Sequence, residues 1–202
     1  MILHLLKVSV LPLAIKALIH FWDPDYHCFT FGDINMVPTI KKYSVLTYFP
    51  KDVYKLYFHR RLKNTMEKFA KLLGIYQMNQ YREKNNSRGL RWKWLEELLV
   101  VKKSNPGARI LALRVFGLVL CPYTTEIVNL EAANLFIEYE NTKINPSATI
   151  LDETIISLNH SKKTRKGSMR CCVSLLFIWM VRHIEAETLI FRSFWWFDTK
   201  QL

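Results

Sequence analysis

At 202 residues and 24.0 kDa, with half its residues hydrophobic and 23% charged, the chain can bury a sizeable core and is too apolar for wholesale disorder. Its formal charge of +12 is uneven: 18 basic against 8 acidic residues up to Lys103, then 11 against 9. That balance points to an acidic partner, with nucleic acid the commonest, or equally to a basic surface that is merely solvated.

Val8–Phe21 reads as a helix with apolar residues on more than one side, and Pro12 is tolerable in its first turn. Trp22-Asp23-Pro24 breaks it. Tyr26–Phe31 alternates as a short strand or hairpin arm, and Pro38 suits the first position of a helix reaching Tyr48, with Val45 and Leu46 facing inward. Asp52–Arg61 has no assignable period. Leu62–Leu73 repeats apolar residues at helical spacing and stops at Gly74. Residues 77–89 are polar and aperiodic, the best linker or exposed loop in the chain.

Leu90–Val101 resumes as a helix, and Ser104-Asn105-Pro106 ends it while capping the next. Ala108–Leu120 is nearly all apolar around Arg109 and Arg114, a central helix closed by Cys121-Pro122. Thr125–Tyr139 is amphipathic. Pro146 opens a helix over Ala148–Leu158, a basic loop spans His160–Ser168, and an apolar helix runs from Met169 to Ile184. That last helix is expected to pack on Ala108–Leu120, the segment of comparable apolarity. An aromatic tail, Phe191 to Phe197, follows.

Cys28, Cys121, Cys171 and Cys172 all sit in apolar stretches and two are adjacent, so they read as small hydrophobes in a reducing compartment rather than a disulfide framework. The sequons at Asn85 and Asn159 would matter only in a secreted protein. Met1–Trp22 is interrupted by His4, Lys7, Pro12, Lys16 and His20, and Cys171–Val181 is bracketed by Arg170 and Arg182. Neither offers the roughly 20 apolar residues that a membrane span needs. Both read as core helices, with a membrane-associated protein as the chief alternative.

Residues that carry chemistry are sparse. Neighbours on a helix point about 100° apart, so Asp152-Glu153 and Glu96-Glu97 would not share a proton. No nucleophile elbow, zinc-protease motif or phosphate-binding glycine loop occurs. His20, His27 and Cys28 lack the matching second pair that a zinc site requires, and Cys171 and Cys172 would face apart on their helix. No catalytic residue, metal or cofactor is therefore expected, and a small-molecule substrate is not either.

Two basic clusters remain. Arg88-Gly89-Leu90-Arg91-Trp92-Lys93-Trp94 interleaves cations with aromatics, which suits holding phosphates and stacking on bases. Arg88, Arg91, Trp92, Lys93 and Trp94 are the candidate contacts; the same letters also describe one solvated helix with its tryptophans divided between core and surface. Lys162, Lys163, Arg165 and Lys166 form a compact stretch of the kind read as a nuclear import signal, a common chance match.

His20-Phe21-Trp22-Asp23-Pro24, His27 to Gly32 and Pro38 to Leu46 resemble the plant mobile domain and, more closely, its uncharacterised retroelement-associated relatives in flowering plants. Phe116 to Val119 before Pro122, Leu151 to Thr154 before Leu158, and Cys172 to Trp179 add to the likeness, which covers about residues 8–197 and is weakest between Asp52 and Gly89. The resemblance implies a mostly α-helical globular domain from transposable elements or host proteins derived from them, some of them nuclear. Two features depart from it. Lys41-Lys42 stands where the relatives carry acidic residues, and the relatives continue beyond the aromatic tail, as a truncated or decayed copy would explain.

The expectation is thus a mainly α, single globular domain with a short β arm or hairpin near the N-terminus. It is a non-enzymatic, transposable-element-derived plant protein in the nucleus, acting through nucleic acid or nuclear proteins.

Overall fold

In a computed structural model, the described residues are 2–49, 67–68, 71, 81–84, 87–101, 105–120, 122, 127–165 and 169–186. They form one mainly α-helical domain with short strands. Of the expected helix over Leu62–Leu73, the described residues are Glu67, Lys68 and Lys71, all helical; the aromatic tail, Lys166 and Cys121 lie outside the described residues.

A 3-10 turn over Ile2–Lys7 leads into α1, Pro12–Phe21, which starts with Pro12 in its first turn. β1 (Trp22–Asp23), β2 (Cys28–Phe31) and β3 (Ile34–Met36) follow as an antiparallel sheet in that order; β2 falls in the expected arm, Tyr26–Phe31, and β1 and β3 lie outside it. The breaker acts through hydrogen bonding. Asp23 Oδ1 accepts from the backbone N–H of Asp25 (2.9 Å) and Tyr26 (3.2 Å), closing a turn that replaces the next turn of helix. At the β2–β3 turn Gly32 takes φ +58°, a conformation that a side chain resists.

α2 spans Ile40–Thr47. Thr39 is its N-cap, its hydroxyl accepting from Lys42 N–H at 3.3 Å, so Pro38 lies outside the helix rather than at its first position. Leu46 faces the core as expected, but Val45 is 48% exposed, because Tyr43, Ser44, Leu46 and Thr47 take the inward side.

The largest correction concerns residues 77–89. Tyr81–Lys84 (β4) and Ser87–Arg91 (β5) pair as a hairpin, and Ile127–Asn129 (β6) joins β5 from the other side. This second sheet was read as a loop plus the start of a helix. Gly89 makes it work: a Cβ there would lie 2.0 Å from the Val128 carbonyl oxygen, so only glycine lets β5 approach β6.

α3 then runs Trp92–Val101 and α4 runs Asn105–Val115, continuing as a π-helical turn over Phe116–Leu120. α5, Leu130–Thr142, is capped by Asn129, whose Oδ1 accepts from Ala132 N–H at 2.7 Å. α6, Ser147–Thr164, extends a turn and a half past the expected end at Leu158, because Asn159 to Thr164 contains no breaker and lysine is a good helix former. α7 is Val173–Ala186, so Cys171 and Cys172 precede it, and both are buried rather than facing apart.

α2, α6, α1 and α7 pack around the first sheet; α3, α4, the π turn and α5 pack around the second. Among the described residues α7 rests chiefly on α2, with α1 and the 3-10 turn beside it, rather than chiefly on Ala108–Leu120 as apolarity alone suggests. The halves share one core. Phe49 lies edge-on to Phe116 (6.1 Å) and Tyr139 (5.1 Å), and buried Asn145 donates to Ser44 Oγ at 2.7 Å while its Oδ1 accepts from Ser147 N–H.

Candidate nucleic-acid interface

The Arg88–Trp94 stretch straddles the β5–α3 junction. Leu90 and Trp92 turn inward, Arg91 and Trp94 are half-buried, and Lys93 is exposed. Arg88 sits opposite Glu83 in the β4–β5 register. The Arg114 guanidinium lies 5.6 Å over the Trp92 ring and pairs with Glu96 at 2.7 Å, while Gly117 closes on the ring edge. Trp92 therefore has no face to offer a base. Its place in the motif reflects the amphipathic pattern of α3, and the stretch supplies cations and at most the half-buried Trp94.

The 162–166 cluster falls in the segment expected as a basic loop, His160–Ser168, of which the structure makes helix as far as Thr164. It lies mostly within helix: Lys162 and Lys163 form the last turn of α6, and Arg165 caps it with φ +53°. Lys162 is half-buried and donates from Nζ to the His20 carbonyl, a free acceptor at the C-terminal end of α1 where a cation is favoured. Lys163 and Arg165 are exposed.

One turn before Lys163, Asn159 joins three elements. Trp22, 1% exposed, donates its indole N–H to Asn159 Oδ1 at 2.7 Å. Indole nitrogen only donates, so the Asn159 oxygen must face it and the amide NH2 faces His27 Nε2 at 3.4 Å. That amide is placed to donate to the ring nitrogen. Its ring lies nearly parallel to Trp22, 6.2 Å between centroids and 13° between planes, and the residue is exposed in a positive-φ turn. Tyr26 beside it is 82% exposed.

The remaining chemistry-bearing residues do not converge. Asp152 is exposed and Glu153 half-buried; Glu96 is tied to Arg114. Among the described residues no three of His, Cys, Asp and Glu are grouped to hold a metal ion. The cleft between the 3-10 turn, the π turn and the approach to α7 holds about 390 Å³ and is lined mainly by Leu5, Leu6, Val119, Pro122, Met169 and Val173. Cys171 also lines it; its buried thiol, with Thr154 and Ser157 beside it, is pushed up to about 12 by burial, and burial likewise raises Tyr43. A thiol held protonated is a packing group, not a nucleophile.

The model of one protein family, described as Domain of unknown function (DUF7745), matches residues 1–196. The chain belongs to this family. No curated protein and no solved structure matches it.

In this DUF7745 domain Tyr26, His27 and Lys16 are exposed groups that no sequence motif singles out, and Lys163 and Arg165 are exposed at the end of α6. The signal was present but divided. Lys16 and His20 are one helical turn apart, as are Asn159 and Lys163, and the Trp22–Asn159 bond spans 137 residues, which no local pattern reveals.

Proposed function

We propose that this DUF7745 domain is a non-enzymatic module that binds nucleic acid through exposed cations on a helical scaffold. We further propose that it derives from a plant transposable-element lineage, as its resemblance to the plant mobile domain implies, and acts in the nucleus. The observation that carries the reading is the net charge of +12 together with its placement: Lys16, Lys41, Lys42, Lys93, Lys163 and Arg165 all reach solvent. Fluorescence anisotropy with labelled RNA and DNA tests it. Each phosphate contact releases counterions, so affinity should fall by about 0.7 to 0.9 log units per contact for each log unit of salt. No binding to any DNA or RNA at low salt would leave contacts with nuclear proteins as the survivor, and a crosslinking pull-down without any partner would favour a decayed copy.

One observation favours a second reading, attachment to a membrane surface. Leu6, Leu11 and Leu13 are exposed beside Lys7 and Lys16, an apolar and cationic mixture that suits an anionic bilayer. Among the described residues no helix is long and apolar enough to cross a membrane. Carbonate extraction and co-sedimentation with anionic vesicles distinguish the two.

A further inference from the structure

We infer that the surface where the end of α6 meets the Asp23–Cys28 turn and the end of α1 is a binding site for single-stranded nucleic acid. The inference rests on the nucleic-acid reading above and assigns it a place and a substrate class.

Base faces are hidden in a duplex and open in a single strand, so a single-strand site needs aromatic faces beside cations. This surface has both. His27 turns one face toward Trp22 and is held there by Asn159 and a positive-φ backbone, which leaves the ring exposed but oriented. Tyr26, next in the chain, is almost fully exposed.

Around these rings stand the cations. Lys163 follows Asn159 by one helical turn and so shares its face of α6; Arg165 is exposed at the helix end. Lys162 ties that end to the His20 carbonyl, which brings Lys16 and His20, exposed and one turn apart on α1, to the same surface. Among the described residues neither Lys163 nor Arg165 takes an ion-pair partner, in contrast to Arg114 over Trp92. Of the acidic groups here, Asp23 spends a carboxylate oxygen on the turn, and Asp25 is exposed and opposes an anion. Bases stack on Tyr26 and His27, and the phosphates between them meet Lys163, Arg165 and Lys16.

The test is anisotropy of the full chain with a 12-nucleotide oligo-U, oligo-dT and a duplex of equal length, across a salt series. K163Q/R165Q should lower the single-strand salt slope by about 1.4, two contacts at about 0.7 each. Y26A should weaken single-strand binding about 5- to 150-fold and leave duplex binding unchanged, whereas Y26F should retain wild-type binding. D25N should tighten binding. All four positions are exposed, so unchanged circular dichroism and melting are expected. Single-strand binding that survives K163Q/R165Q and Y26A but is lost in R88Q/R91Q/K93Q would overturn this site and keep the nucleic-acid reading. Equal losses on single strand and duplex with Y26A would also overturn it. Failure of the wild-type chain to bind any of the three probes would overturn both.

Discussion

Replacing Trp22 with alanine tests the joint on which the first half of the fold turns. The indole is 1% exposed, lies edge-on to Phe29 at 4.9 Å, stacks on His27 and donates to Asn159. Burying an aromatic ring of this size removes roughly 150–250 Å² from water. At about 25 cal/mol per Å² that is roughly 4–6 kcal/mol, of which alanine keeps a small part, so the expected loss is about 3–5 kcal/mol. For a chain of this length each kcal/mol moves the midpoint by about 2–4 °C, so Trp22→Ala should melt roughly 6–20 °C lower by circular dichroism or scanning calorimetry. Trp22→Phe separates the contributions. It keeps most of the ring burial and loses the donor to Asn159, a group that water can reach, and should cost only about 1–2 kcal/mol. A Trp22→Ala midpoint within about 3 °C of wild type, or a phenylalanine variant as damaged as the alanine one, would refute this reasoning.

Gly89→Ala should destabilise by about 1–3 kcal/mol in urea unfolding, since the new methyl must displace the Val128 backbone; wild-type stability would show that β5 and β6 do not approach as described. Asn129→Ala removes the α5 cap and should cost about 1 kcal/mol, with Asn129→Asp or Asn129→Ser restoring most of it in the same assay. Burial lifts the Cys171 thiol from the ordinary thiol range to about 12, so above about pH 9 the unfolded chain releases a proton that the folded one retains. Stability should therefore be full below about pH 8 and fall as pH rises from about 9 toward 12, a slope that Cys171→Ser reduces and that a flat urea midpoint from pH 8 to 10.5 would contradict. Cys171 should also resist alkylation until the chain unfolds, and rapid labelling of Cys171 in native buffer would show the thiol to be accessible.

The first half of the fold was legible because its signals are chemical and local: Asp23 and Pro24 stop α1, Pro38 announces α2 although Thr39 is its cap, and the phenylalanine arm alternates. The second sheet was not, because β4 and β5 are mostly polar and show no apolar alternation. Ile127 and Val128 fit a helical period with Leu130 as well as they fit a strand, and Gly89 acts through a neighbour 39 positions away in the chain. Helix partners were misjudged for a related reason. Apolarity says that Cys171–Val181 and Ala108–Leu120 are buried, and nothing in it says that they face each other; α7 found α2 instead. For the candidate site, composition gives the charge, and the motif gives one buried aromatic, Trp92, and one half-buried, Trp94. Trp92 belongs to the core beneath Arg114, while Tyr26 and His27 are exposed in the turn that the breaker creates.

Ultraviolet crosslinking of the full chain to a uridine-rich single strand, read by mass spectrometry, tests the central claim most directly. Crosslinks on Tyr26 or His27, lost at high salt and competed by unlabelled single strand but not by duplex, are the predicted result. Crosslinks confined to Trp94 and its neighbours, with none on the Tyr26–His27 turn, would contradict it.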